Sequence, residues 1–442
     1  MSEQHFDAWR SFAHQNEAVS AESVAEREVH LRAHVAELVA SGLADDEAFL
    51  IAVKRMSSVD ELARGFARAY GQQLWQPTFT AGDHRVKSEW VRDLGVAIAL
   101  GAGAAVSLRA GMSWLDDDLL VRLAPFLVLP WLAGFFAWRR PASALTLGLL
   151  AAGYVVVGVL LASYPFASEQ SDTLILAVIH APILLWLMVG VAYAGGDWRS
   201  GQRRMEFIRF TGEWAVYYFL IASGGGVLLA LAAGTFATID MDPEVPLFEW
   251  ILPMGAAGAV VIAAWLVESK RNVVENIAPQ FARVFSPLTI LLLLALLVAF
   301  AVNPHVIDVE RELLILMTVI LVLVLGLWLY AVSARPSEAP PGLADGLQIV
   351  LVVAAIVVDL VVLVAMASRI AELGLTPNRS AALGLNILLL VNLLVSAWLG
   401  LAFVRGKKPL AALERWQTSY LPWFGAWAAV VVVLWGPIFS WA

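Results

Sequence analysis

Asp359 is the residue whose surroundings most invite chemistry. It stands deep in an apolar stretch, residues 344–368, between Val357, Val358 and Leu360. A carboxylate inside hydrocarbon costs several kcal/mol, roughly 2.5–3.5 on insertion scales, unless it is paired, protonated or hydrated. Two readings follow: an ion or proton site, or a hydrogen bond that ties two helices. His180 is a second ionisable group in an apolar stretch, residues 173–194, two positions before Pro182. Counted from the outer ends of their segments, the two lie at depths of about 10 and 15 Å, at 1.5 Å per residue. They are expected to be able to face one another and share a polar site. Asn386 and Asn392 add amides to residues 381–404, six positions apart and hence on different faces. Buried asparagines of this kind commonly bridge helices.

Two further groupings concern backbone and charge. Gly224, Gly225 and Gly226 fall consecutively near the middle of residues 213–235. Each glycine lowers helix propensity by about 1 kcal/mol, so the run is a candidate helix break of the sort that transporters place at substrate sites. Close packing through small residues is the alternative. Arg369 and Arg379 bracket a short connection that also holds Glu372 and Asn378. A local ion pair with Glu372 and capture of an anion are the two readings there.

Other chemistry is excluded by what is missing. The chain has no cysteine and only seven histidines, which are scattered, so no metal centre and no cofactor site is expected. There is no phosphate-binding Gly-rich loop ending in Lys-Ser/Thr, no His-Glu-x-x-His run and no Gly-x-Ser-x-Gly elbow. No catalytic set emerges, and an enzyme is not expected. The N-terminal region is acidic, which disfavours nucleic acid as a partner.

The elements that position these residues are membrane helices. Of the 442 residues, 60% are hydrophobic and 15% charged, with a mean hydropathy of +0.75. The apolar residues gather into blocks of about 20, the length that spans a bilayer. Eleven such blocks are read: residues 94–114, 119–138, 142–163, 173–194, 213–235, 247–267, 285–302, 313–333, 344–368, 381–404 and 421–439. The partner these imply is a lipid bilayer.

Charge alternates along their connections. Arg85 and Lys87, Arg139 and Arg140, Arg199 to Arg209, Lys270 to Arg283, Arg335, and Arg405 to Arg415 fall on one side. The other side carries Asp116 to Asp118, Glu169 to Asp172, Asp240 to Glu249 and Asp308 to Glu312. Basic loops stay cytoplasmic. The expected topology is an odd number of crossings in the cell membrane, with the N-terminus inside and the C-terminus outside. The first block begins near Leu94, too late for a secretory signal. Apolar residues between Glu268 and Ser286, and again from Leu410 to Tyr420, recur at helical spacing and are expected to form interfacial helices. The eighteen tryptophans, several near span ends, fit aromatic belts.

Residues 1–80 read as a separate soluble helical bundle, joined to the membrane region by a linker at 81–93. Its helical stripes carry Phe6, Trp9 and Phe12; Val24, Leu31, Val35 and Leu38; Phe49, Val53 and Met56; and Val59, Leu62, Phe66 and Tyr70 behind a Ser58–Glu61 capping box. The run Leu31-Arg32-Ala33-His34-Val35-Ala36-Glu37-Leu38, with Gly42-Leu43, Glu47-Ala48-Phe49 and Asp60-Glu61-Leu62-Ala63, resembles a permease prefix domain. That is a cytoplasmic module of bacterial membrane proteins, and the resemblance implies an interaction or signalling role. Residues 213–442 resemble the bacterial domain of unknown function numbered forty-one fifty-three, chiefly at Arg369-Ile370-Ala371-Glu372-Leu373-Gly374-Leu375-Thr376-Pro377-Asn378-Arg379. This implies a multi-span region and no substrate.

The fold class expected is therefore all-α: a polytopic membrane protein of about eleven spans behind an N-terminal bundle. Two functions are open. One is a permease or transporter of a small solute or ion with a regulatory N-terminal domain. The other is a membrane sensor or scaffold that relays a signal through that domain to a cytoplasmic protein partner.

Overall fold

The computed structural model describes residues 2–14, 21–40, 45–56, 90–168, 171–238, 244–269, 278–302, 311–335 and 339–441. The chain divides into two compact units, Met1–Asp93 and Leu94–Ala442. In the first, α1 (Ser2–His14), α2 (Ala21–Ala40) and α3 (Asp45–Met56) enclose a small core. Phe6, Trp9, Leu31, Val35, Leu38, Phe49 and Val53 are buried, as their helical spacing requires, with Phe12 and Met56 packed at its edge. Phe6 meets Phe49 edge-on, and Arg32 lies over the Phe6 ring at 4.1 Å. Glu28 accepts hydrogen bonds from Arg10 and Arg32, both at 3.1 Å. The expected fourth helix and its capping box lie outside the described residues.

Among its described residues, the second unit holds eleven helices long and apolar enough to cross a membrane. They are α4 (Trp90–Trp114), α5 (Asp117–Arg139), α6 (Ala144–Ser163), α7 (Asp172–Tyr193), α8 (Gly201–Thr238) and α9 (Leu252–Ser269). A π-helical turn, Glu244–Ile251, leads into α9. Then come α10 (Ala278–Val302), α11 (Arg311–Ser333), α12 (Leu343–Leu373), α13 (Pro377–Val404) and α14 (Leu410–Ile438). Polar residues that flank the spans start several of them. Asp116, Ser143, Ser171 and Thr376 each accept a hydrogen bond from a backbone N–H of the first turn. Asp117 and Asp118 in the first turn of α5 also favour its positive dipole end.

These helices form two subcores. The first unites α4 to α9 around aromatic rings: Phe135, Phe136, Tyr193, Phe207, Phe210 and Trp265. The second unites α10 to α13 with the start of α14 around Leu293, Leu321, Val324, Trp328, Val352, Val358 and Leu389. Farther along, α14 leaves the second subcore and lays Val431, Val432 and Trp435 against Leu176, Ala177 and Ala181 of α7. Close approaches rest on glycine. Gly101 of α4 and Gly258 of α9 cross so tightly that a Cβ on Gly101 would stand 3.2 Å from the Gly258 carbonyl oxygen. Gly384 of α13 leaves room for the Trp427 ring of α14, and Gly212 of α8 for Tyr330 of α11.

Three expectations are corrected. The helix α8 runs unbroken through Gly224, Gly225 and Gly226. No atom outside the local helix lies within 4 Å of where their Cβ atoms would be, so close packing does not explain them either. On a face open to lipid, a break would leave backbone groups without hydrogen bonds, at several kcal/mol each; that outweighs the propensity cost. Residues 410–420 are not an interfacial helix but the opening turns of α14, with Leu410, Leu413 and Tyr420 buried. Likewise α10 is continuous from Ala278, and the rest of the expected 268–286 helix lies partly outside the described residues. Finally, Arg203, Arg204 and Arg209 belong to no loop. The 38 residues of α8 reach about 57 Å, well beyond a hydrocarbon core of about 30 Å, and these arginines occupy its first turns.

A pair of glycine substitutions tests this packing. Gly384→Ala should cost about 1–3 kcal/mol through overpacking against Trp427. Gly225→Ala should be neutral or stabilising by up to about 1 kcal/mol, since it meets nothing and favours the helix. Thermal unfolding of the two purified variants in one detergent reads the contrast.

Candidate functional site

Successive turns of α12 place Gln348, Val352, Ala355, Asp359, Val362 and Met366 on one stripe, because steps of three and four residues return to the same helix face. That stripe faces the second subcore. Asp359 has no solvent exposure, and neither carboxyl oxygen has a hydrogen-bond partner. About 10 Å along the axis, Met366 touches Asn386 of α13, whose Nδ2 lies 3.9 Å from the thioether. Asn386 also donates to Thr318 of α11 at 3.1 Å and to the Ala382 carbonyl at 2.8 Å, which leaves its Oδ1 buried and unpartnered.

About 16 Å the other way, Gln348 donates to Ser286 of α10 at 2.7 Å, and its Oε1 is likewise unpartnered. Gln348 lines a small pocket with Trp328, Arg335 and Asp345. At this pocket Arg335 pairs with Asp345 at 2.8 Å and lies over the Phe403 ring. The stripe therefore carries acceptor oxygens without donors at two levels, and Asn386 of α13 adds a third beside Met366. Sequence reasoning singled out Asp359 and Asn386 and missed Gln348; its spacing of eleven residues from Asp359, three helical turns, was the available signal.

The remaining candidates lie elsewhere. His180 is buried in α7, and its Nδ1 is 2.8 Å from the Leu176 carbonyl one turn back. Its neighbours Ala177 and Ala181 pack on Leu161 and Val432, whereas Asp359 sits among Ala355, Val358 and Val362 of the second subcore. The expected shared Asp359–His180 site is thus not formed; similar depth along two helices does not bring their faces together. Asn392 looks toward α14. Its Nδ2 donates to Gln417 Oε1 at 3.1 Å, Gln417 donates to Ser396 Oγ at 2.6 Å, and Ser396 donates to the Asn392 carbonyl at 2.7 Å. All three are buried, and this closed network locks α13 to α14. Neither Ser396 nor Gln417 was anticipated.

At the α12–α13 connection, the expected ion pair is absent among the described residues. Arg379 instead donates to the carbonyls of Leu373 and Gly374, at 3.1 and 2.8 Å, and so caps the end of α12. Glu372 accepts only a long hydrogen bond from Ser368, at 3.4 Å. Asn378 Nδ2 and Arg369 Nη1 are buried atoms without partners.

Charged groups at the ends of the helices are tied across the bundle. Glu268, at the end of α9, pairs with Arg139 at 3.1 Å and Arg140 at 2.9 Å. Arg140 also donates to the Tyr193 carbonyl and lies 3.6 Å from that ring's centroid. Arg204 donates to the Thr418 carbonyl and Arg209 to the Ser333 carbonyl. The opposite end holds different contacts. There Arg122 pairs with Asp118 and donates to the Tyr164 carbonyl, Ala167 N–H donates to Trp441 O, and Trp435 donates to Pro377 O. Apart from the Arg122–Asp118 pair, which lies within α5, these contacts join the ends of different elements.

No family model, no curated protein and no solved structure matches this chain.

Glu268 is the single anion between two cations that are both mostly buried. Glu268→Ala should destabilise the protein by about 1.5–3 kcal/mol by removing the carboxylate that Arg139 and Arg140 share, and Glu268→Gln by less. Denaturant unfolding in mixed micelles measures both.

Proposed function

We propose that the membrane region is a permease-type carrier of a proton or small cation, or of a solute coupled to one, and that Asp359 is the group that binds the ion. The observation that carries this reading is a carboxyl with no exposure and no partner inside a membrane bundle. Such a group is tolerated when it is protonated, hydrated or holding a cation. A purely structural aspartate would be hydrogen-bonded to a neighbouring helix. The unpartnered oxygens of Gln348 on the same face, and of Asn386 on the adjacent α13, favour a positively charged or proton-bearing cargo, since each oxygen accepts and none donates.

On this proposal the protein lies in the cell membrane with the arginine-bearing end in the cytoplasm. The N-terminal bundle is then a permease-prefix-like regulatory or docking element there. A second reading is a membrane sensor or scaffold that relays a signal through the same bundle. One observation favours it: none of the three described pockets has Asp359 in its lining.

Flux in proteoliposomes separates them. Under an imposed proton or cation gradient, wild-type protein should show flux and Asp359→Asn should show none. Asp359→Leu should also lack flux, while its melting temperature should hold or rise, because it removes an unpartnered carboxyl. Absence of wild-type flux under every gradient, with a large loss of stability in both variants, would support the scaffold. Orientation has its own test. Alkaline phosphatase fused after Ala442 should be active if the arginine and lysine distribution keeps the N-terminus inside, because an odd number of spans then ends outside the cell.

A further inference from the structure

A groove runs between α7, α8 and α14 at the end of the bundle that carries Arg199, Arg203 and Arg204. Leu187, Val191, Phe207 and Leu421 form its apolar walls. Small residues make the space. A Cβ on Gly425 would stand 3.0 Å from Leu187 Cδ1, and one on Gly190 would stand 2.8 Å from the Phe207 ring. From Leu187 to Ala194 the groove follows α7 for about 10 Å of its axis, within the spanning part of the helix. Trp198, Arg203 and Arg204 stand at its mouth.

The charge at that mouth is only partly neutralised. Arg204 is held in place by backbone oxygens from two elements, Thr418 of α14 and Arg199 of the α7–α8 connection, the latter at 2.7 Å. It makes no ion pair among the described residues, and its Nε is buried without a partner. Arg199 is exposed beside the Trp198 ring and likewise makes no ion pair among the described residues. Arg203 meets only Glu206, at 3.2 Å in an exposed pair one helical turn away, an arrangement that contributes little. A pre-positioned cation thus tops an apolar furrow beside an interfacial tryptophan.

We propose that this groove is a binding site for an anionic phospholipid, with an acyl chain along Leu187, Val191, Phe207 and Leu421 and the phosphate held at Arg203 and Arg204, supported by Arg199. A basic mouth between transmembrane helices is complementary to an anionic headgroup. The apolar walls distinguish the occupant from a soluble anion, which would gain nothing from them and would leave them bare. The site does not depend on Asp359 or on the transport reading.

Native mass spectrometry of the full chain, released from micelles holding equimolar phosphatidylglycerol and phosphatidylcholine, tests the site. Wild-type protein should retain phosphatidylglycerol in clear preference. The double variant Arg203→Gln/Arg204→Gln should lose that preference. Because Arg204 also ties α8 to α14, a second pair, Arg199→Gln/Arg203→Gln, removes only exposed charge and should weaken the preference without loss of fold. Gly425→Leu fills the groove, leaves every arginine in place, and should release the lipid. Excess glycerol phosphate should displace little of it. Equal retention of the two lipids by wild type, unchanged preference in both arginine pairs, or retention by Gly425→Leu would overturn the proposal. Full displacement by glycerol phosphate would show a soluble-anion site instead.

Discussion

Within hydrocarbon no water is available to a peptide group, so every backbone N–H and C=O must find its partner inside the chain. Most of this structure answers to that demand. It explains why the described membrane segments are helices, and why Asp116, Ser143, Ser171 and Thr376 stand at helix starts to take up the first free amides. It also explains why three consecutive glycines do not interrupt α8. At the far end of α12 the same demand is met by a side chain, where Arg379 takes the last carbonyls.

Side chains are held to a looser version of this rule, and two polar groups of the second subcore meet it differently. Asn392, Ser396 and Gln417 close a loop of hydrogen bonds among themselves. A network so complete specifies how α13 and α14 dock and leaves nothing over for a ligand. Along α12 the acceptors of Gln348 and Asp359, and across from it that of Asn386 on α13, are left without donors. One set behaves as a fastener; the other is a row of open valences in an otherwise apolar interior. Both are made of ordinary residues, and only the arrangement of neighbours separates them.

The number and order of spans were readable because hydropathy and loop charge are one-dimensional properties. The eleven apolar blocks correspond to the eleven candidate spans found among the described residues. Helix ends were less legible. The polar first turns of α8 and α14 read as loop or interface, yet packing of Arg204 on Thr418 and burial of Leu410 and Leu413 carry the helices past the apolar core. Facing was not legible at all. His180 and Asp359 share a depth, but depth says nothing of azimuth, and it is azimuth that puts them in different subcores. Partners such as Gln417 and Thr318 escaped for the same reason, since their roles depend on helices distant in sequence.

The route of α14 bears on how the molecule is made. Its first turns complete the second subcore, and its later turns cover Leu176, Ala177 and Ala181 of α7. During synthesis α7 emerges more than two hundred residues before that cover does. Throughout the interval its face must be occupied by lipid tails or by the insertion machinery, since its proper neighbour does not yet exist. Assembly of the first subcore is therefore finished from the C-terminal side, and the last described helix acts as the closing stave of a barrel whose other staves are already standing.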